Sequence, residues 1–343
     1  MKRSSRSSNP IKTLDGGTAA SPEIKREAAA RKIQALSRRR YKKNISHISD
    51  IFCGRSDAII NRKNQKILDD ILFVNRDMSL VTKEKKSSNI MIGNFILKQK
   101  KQLGAGSYSK VLEYYDEQNG VKVAFKIENA KFPSEKEISE TIQHCGAIKE
   151  VYFKSDWEKN HHFYFMNVAH GGTLDDLKKR ITNWDEGRRK KLIKSIVEKI
   201  RKQVVCLYNN GYVYTDFKLP NILVDCDGSG LQIYLGDLGS AIPNETNEYV
   251  ATYPPPDVNL NAPGIFPLKT EEEKQGVISW GLGILLYFLM PSSTNSSNHF
   301  FFNNYNVQKH PESIREMNDY YGGNFGNYLS DKAENRPRIF DEI

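Results

Sequence analysis

Long apolar runs, clustered cysteines and a leader sequence are all missing from this 343-residue chain. The longest apolar stretch, residues 278–290, is broken by Ser279, Gly281 and Gly283. A membrane span needs about 20 such residues, so the stretch reads as a buried core helix and the protein as soluble. Only four cysteines occur: Cys53, Cys145, Cys206 and Cys226. They are far apart, with no C-x-x-C pair, so no disulfide framework is expected and a reducing, intracellular setting is implied. The N-terminus MKRSSRSSNP carries no apolar core of a secretory signal. Net charge is also scarce outside one region. Residues 1–50 hold 13 Lys/Arg against 4 Asp/Glu, and the other 293 residues sum to about +1 of the total +10. Overall basicity is therefore no argument for a nucleic-acid-binding core.

What is present is a globular composition, 38% apolar and 27% charged, with a change of character along the chain. Residues 1–20 are Ser-, Gly- and Lys/Arg-rich and predict disorder. Ser21, Pro22 and Glu23 then form a helix start. The basic stretch over about 22–43 that follows has only a thin apolar stripe of Ile24, Ala28, Ile33 and Leu36. Residues 44–93 carry a weak helix signal near 64–73 and a polar spacer over 82–89. From Asn94 onward, short strands are predicted at 95–97, 111–115, 121–127, 147–153 and 162–168, with a helix over 134–146. Helices then dominate, at 174–181, 186–209 and 277–290. Strands followed by helices predict two lobes with a cleft between them.

Three groups of residues can carry chemistry. Leu103-Gly104-Ala105-Gly106-Ser107-Tyr108-Ser109-Lys110-Val111 joins two predicted strands. It fits an ordinary hairpin turn, or a loop whose backbone N–H groups approach phosphate oxygens. Lys126 lies in the apolar run Val123-Ala124-Phe125, where an ammonium needs a partner. The next helix offers Glu135, Glu137 and Glu140. Glu135 is preferred, because Ile138 and Ile142 share its face; a snorkelling lysine above a solvated acidic face is the alternative. The densest group is Tyr214-Thr215-Asp216-Phe217-Lys218-Leu219-Pro220-Asn221, followed by Gly236-Asp237-Leu238-Gly239. Asp216 suits proton acceptance from a hydroxyl, Lys218 suits a transferring phosphoryl group, and Asn221 with Asp237 suits Mg²⁺ ions on phosphates.

In their order and spacing these motifs resemble the eukaryotic protein kinase family, from about Asn94 to the end. The resemblance implies an α+β bilobed fold: a small β-rich lobe over about 94–168 and a larger helical lobe over about 169–343, preceded by a basic extension, 1–93. It implies ATP and Mg²⁺ as cofactors and protein Ser/Thr residues as substrates. Asp216, Lys218, Lys126 and Glu135 would be catalytic. Leu103, Gly104, Gly106, Ser107, Val111, Ala124, Met166, Asn167, Ala169 and Leu223 would hold the nucleotide, with Asn221 and Asp237 on metal. Met166 stands at the gatekeeper position before the lobe hinge. Asp257 ends the activation segment, and Arg336-Pro337 supplies the late arginine that pairs with it. Lys218 and Thr252 point to Ser/Thr acceptors. The loop around Asp216 is similar to those of casein-kinase-I, vaccinia-related and large-DNA-virus kinases, which leaves the location cytoplasmic or virion-associated.

Departures from the family also matter. Ser109 replaces the third glycine, and Leu238 the usual phenylalanine. Tyr214-Thr215 replaces His-Arg, which predicts little dependence on phosphorylation of Thr246 or Tyr249. Gly276 stands where the family has an aspartate that anchors the catalytic loop, and the last helix reads as short. These features support the rival expectation, an inactive scaffold that recruits a partner. In the arm, Ile33, Gln34, Arg38, Arg39 and Lys43 resemble an IQ motif, with Arg39 in the glycine place. That implies a calmodulin-like partner; nucleic acid or an acidic surface contacted by residues 1–50 is the alternative.

Overall fold

The computed structural model describes residues 81–84, 87–93, 95–106, 109–118, 120–129, 138, 142–146, 150–153, 160–227, 230–245, 253–255, 268, 270–291, 310–341 and 343. All lie in the unit Ile48–Ile343. The IQ-like stretch, the 64–73 signal, Cys53, Ser107, Glu135, Glu137, Glu140, Thr246, Tyr249, Thr252 and Asp257 fall outside the described residues.

The small lobe is a seven-stranded antiparallel sheet. Its strands are β1 (Val81–Lys83), β2 (Ile90–Ile92), β3 (Phe95–Ala105), β4 (Ser109–Asp116), β5 (Val121–Asn129), β6 (Glu150–Phe153) and β7 (His161–Asn167), in the order β1-β2-β3-β4-β5-β7-β6. The sheet thus begins at Val81, inside the stretch read above as a polar spacer and extension. Val81, Ile90 and Ile92 alternate inward and are buried with Phe95 and Leu97. Three-residue strands carry too short a pattern to announce themselves; the pairing of β2 with β3, and of β1 with β2, defines them. On β5, Phe125 stacks on Phe163 and meets Phe165 of β7 at a tilt.

The large lobe is built on helices. Helix α1 (Leu174–Ile181) starts at a capping box between Thr173 and Asp176. Asp185 caps α2 (Glu186–Asn209), whose Leu192, Ile193, Ile196, Val197, Ile200 and Val204 bury one face at helical spacing. Helix α3 (Glu271–Phe288) is buried on every face from Gly276 to Phe288, as the apolar run 278–290 implied. It begins six residues before the helix start predicted at Val277, because Thr270 and Glu273 form a second capping box. Helix α4 (His310–Tyr321) and two short 3₁₀ turns, Phe325–Leu329 and Ala333–Asn335, follow. Short strands β8 (Gly172–Thr173), β10 (Ile222–Asp227) and β11 (Gly230–Leu235) form one small sheet. A ribbon of β9 (Tyr212–Tyr214) and β12 (Ala241–Pro243) forms the other. Together these elements make the two-lobed α+β arrangement that the resemblance implied.

One expectation is overturned. Cys145, in the 3₁₀ turn Gln143–Cys145, is disulfide-bonded to Cys206 on α2. They are 61 residues apart in sequence, but their Cα atoms are 5.4 Å apart. Linear spacing reports only local pairs, so it could not show this one. Ile142 beside them is fully buried in the large-lobe core, and Ile138 packs against it, as the helical face predicted.

Candidate active site

A cleft of about 650 Å³ opens between the sheet and the large lobe. Its roof is the β3–β4 turn, where Gly106 N–H donates to Ser109 O at 2.8 Å. At the back, Ala124, Met166 and Val168 form a small buried cluster, with Val111, Leu223 and Tyr234 packed against it. An apolar slot between a roof and a floor suits a flat heterocycle. Leu103, Gly104, Asn167 and Ala169 also line the cleft. So do His170, Asp176 and Arg180, which sequence reasoning missed. Their only sequence signal was proximity to the predicted hinge, and Asp176 is occupied with the Thr173 backbone N–H, which holds its carboxyl below the usual range.

Lys126 enters from β5. It is 3% exposed, and its Nζ donates to Asp237 Oδ1 at 3.2 Å. Glu128, two residues along the same strand, is also buried, with Oε1 3.8 Å from Nζ. The Tyr164 hydroxyl donates to Glu128 Oε2 at 3.4 Å. Two acids thus flank the buried ammonium, as its desolvation demands. Glu128 was not singled out in the sequence; strand alternation, which puts residues i and i+2 on one face, was the available signal.

On the floor, residues 215–221 form a loop after β9. Lys218 Nζ reaches Asp216 Oδ2 at 2.5 Å, and Asn221 Nδ2 donates to the same oxygen at 2.8 Å. Asp216 is buried, with its carboxylate held from two sides. Gly236 N–H donates to Asn221 O at 2.8 Å, which ties this loop to the turn bearing Asp237. Asp237 takes a left-handed backbone, φ 52°, unique among the described non-glycine residues. The bend points its carboxylate into the cleft. The residues assigned from the motifs therefore converge: Lys126, Lys218, Asn221 and Asp237 on the cleft wall, with Asp216 at 2.5 Å from Lys218.

The donor set fits a hard divalent cation. The Asn221 amide nitrogen is spent on Asp216, which leaves its carbonyl oxygen to act as a ligand, and the Asp237 carboxylate lines the same cleft. Oxygen ligands of this kind suit Mg²⁺.

The departures from the family pattern acquire physical accounts. The Tyr214 hydroxyl donates to Gly236 O at 2.8 Å, and its ring meets Phe217 edge-on. Tyr214 thus bridges the loop that bears Asp216 and the turn that bears Asp237. Thr215, in the arginine place, is buried. Gly276 has no room for a side chain, since a Cβ there would lie 2.7 Å from Ala333 Cβ. Its carbonyl instead accepts from Arg336 Nη1 at 3.2 Å. The loop is seated from another point on α3: Phe217, next to Asp216, lies flat against Gly281, where a Cβ would meet the ring at 2.0 Å. The Tyr253 carbonyl accepts from Trp280 Nε1 at 2.9 Å. Burial, and secondarily the Asp216 charge, raises the Tyr253 phenol above its ordinary pKa.

Among the described residues, no helix is long and apolar enough to cross a membrane. The protein kinase domain family matches residues 97–332. Testis-specific serine/threonine-protein kinase 3 of Mus musculus is 28% identical over 205 residues, covering 56% of this chain and 72% of that protein. Calcium/calmodulin-dependent protein kinase type II of Caenorhabditis briggsae is 28% identical over 204 residues, 56% of this chain and 36% of that protein. Ribosomal protein S6 kinase alpha-1 of Homo sapiens is 27% identical over 202 residues, 58% and 27%.

Proposed function

The chain belongs to the protein kinase domain family, and from that premise we propose that it transfers the γ-phosphoryl group of ATP to serine and threonine hydroxyls of proteins. The observation that carries the reading is the Asp216 carboxylate clamped by Lys218 and Asn221 beside a cleft that Lys126 and Asp237 enter from the other side. Asp216 accepts the hydroxyl proton as the new P–O bond forms and the bond to the ADP oxygen breaks. Lys218 holds that carboxylate and offers charge to the moving phosphoryl group. Lys126, freed from Asp237 when nucleotide enters, pairs with phosphate oxygens. When bound at Asn221 and Asp237, Mg²⁺ supplies neutralisation of phosphate charge. The choice of Ser/Thr acceptors rests on Lys218 and on the serine/threonine kinases among the relatives.

Asp216→Asn and Lys126→Met proteins should lose at least about 100-fold in radiolabelled phosphate transfer to a generic protein substrate while keeping the wild-type circular dichroism. Undiminished transfer by either variant refutes the mechanism. The scaffold alternative drew support from Gly276, yet Phe217 seated on Gly281 supplies the catalytic loop with another anchor. It gains ground only if wild type and Asp216→Asn show the same background incorporation. For the arm, the IQ-like residues Ile33, Gln34, Arg38, Arg39 and Lys43 support a calmodulin-like partner. Capture on Ca²⁺-free or Ca²⁺-loaded calmodulin, lost on Ile33→Asp, is the expected result.

A further inference from the structure

The Cys145–Cys206 bond has surroundings that go beyond a packing role. Cys145 is 5% exposed, whereas Cys206 is half-buried. Exposed His144 places Nε2 3.6 Å from Cys145 Sγ. Asn210, also exposed, caps the end of α2 and aims its amide nitrogen at both sulfurs, 3.7 Å from Cys145 Sγ and 3.8 Å from Cys206 Sγ. The same nitrogen is anchored on Cys206 O at 2.8 Å. A disulfide buried purely as a staple is surrounded by apolar atoms, which disfavour a thiolate. Both cysteines pack on the large-lobe apolar core, yet on their outer side the sulfurs meet polar nitrogens: the Asn210 amide, which also lies 3.4 Å from His144 Nε2, and the His144 ring. An N–H aimed at a sulfur stabilises a departing thiolate and makes it a better leaving group.

We propose that Cys145–Cys206 is a thiol–disulfide exchange site whose chemical partner is a dithiol. The more accessible sulfur, on Cys206, receives the attacking thiolate. A bond forms between the partner sulfur and Cys206 Sγ while the Cys145–Cys206 bond breaks. Its electron pair leaves on Cys145, where Asn210 and, with a proton on Nε2, His144 stabilise the thiolate. The partner's second thiolate then attacks its own sulfur in the mixed disulfide and releases Cys206 as a thiolate. Both released thiolates take up protons, and the partner ends as a disulfide. In the net step two electrons and two protons pass from the dithiol to the protein.

The position gives the exchange a consequence. The turn Gln143–Cys145 lies in the chain between β5, the strand of Lys126, and β6, and it packs on α2 of the large lobe. Gly146 follows with φ 83°, pressed so closely on α2 that a Cβ would lie 2.8 Å from the Gln203 side chain. Opening the bond removes the covalent link between this turn and α2. None of this depends on phosphotransfer, so the test reads the sulfurs directly.

The full-length protein, isolated under iodoacetamide without reductant, should yield a linked Cys145–Cys206 peptide pair by mass spectrometry. Dithiothreitol should open it, and glutathione should leave its adduct on the Cys206 peptide. His144→Ala and Asn210→Ala, both surface changes, should slow opening at least about threefold through the poorer leaving group. Four results overturn the proposal: both cysteines alkylated in the untreated protein, a glutathione adduct on Cys145 instead, unchanged opening rates in both variants, or stoichiometric Zn²⁺ bound to the untreated protein, which would require free thiolates on the His144–Cys145–Cys206 cluster.

Discussion

Gly281 on α3 is the point where the core helix sets the position of the catalytic loop, and Gly281→Ala measures that coupling. A methyl there would sit 2.0, 2.4 and 2.6 Å from three atoms of the Phe217 ring. Ordinary carbon contacts are about 3.5–4.0 Å, so the ring must retreat by about 1.5 Å. Phe217 is bonded to Asp216, whose carboxylate is gripped by Lys218 and Asn221, so the retreat drags the carboxylate off that grip. Overpacking costs about 1–3 kcal/mol. Replacing glycine by alanine inside a helix returns about 1 kcal/mol. The net loss of stability is therefore about 0–2 kcal/mol, a fall in thermal midpoint of at most about 8 °C. The effect on turnover should be larger, because a displacement of about 1 Å at the reacting group costs about 100-fold. The assay pairs kcat for a peptide substrate with a thermal melt. Gly283→Ala is the control, since its Cβ would strike Tyr328 Cβ at 2.7 Å and Leu329, away from the loop. It should melt lower and keep its kcat. Adding Phe217→Leu to Gly281→Ala should recover part of the lost turnover by making room. A kcat within twofold of wild type in Gly281→Ala refutes the coupling.

Two further changes probe the surroundings. Gly276→Asp, which restores the family's residue, should lower stability by about 1–3 kcal/mol and raise kcat not at all, because Ala333 and Arg336 occupy the space; a gain in kcat at unchanged melting temperature contradicts this. Glu198 holds Arg201 through two hydrogen bonds of 2.7 and 2.8 Å, and this guanidinium contact keeps its carboxyl below the usual pKa. A depressed folded-state pKa means stability that is present above the unfolded value of roughly 4.3 and disappears as pH falls through the lower folded one. Glu198→Gln should thus cost about 1–3 kcal/mol at pH 7 and progressively less as pH is lowered below about 4, measured by urea unfolding; a deficit that does not change with pH overturns the assignment.

Some of this was legible in the linear chain because its signals are local. The strands around Lys126, the caps and apolar spacing of α1 and α2, and the buried run in α3 follow from periodicity within a few residues. The motif around Asp216 is equally compact, since Asp216, Lys218 and Asn221 lie within six residues and meet at one carboxylate. The small strands at Val81 and Ile90 were not legible, because three residues carry too little pattern without the neighbours that pair with them, β3 beside the second and the second beside the first.

Composition, charge placement and motif order are one-dimensional facts, and they sufficed to imply a two-lobed kinase-like fold following a basic arm. How the departures are absorbed shows only once the elements are packed. Packing puts Tyr214 on Gly236, Phe217 on Gly281, Glu128 beside Lys126 and Cys145 against Cys206. Three of these contacts join residues from 22 to 64 positions apart, and the fourth depends on burial that the strand alone does not reveal. Contacts of that kind are set by how whole elements pack, and no local pattern encodes them.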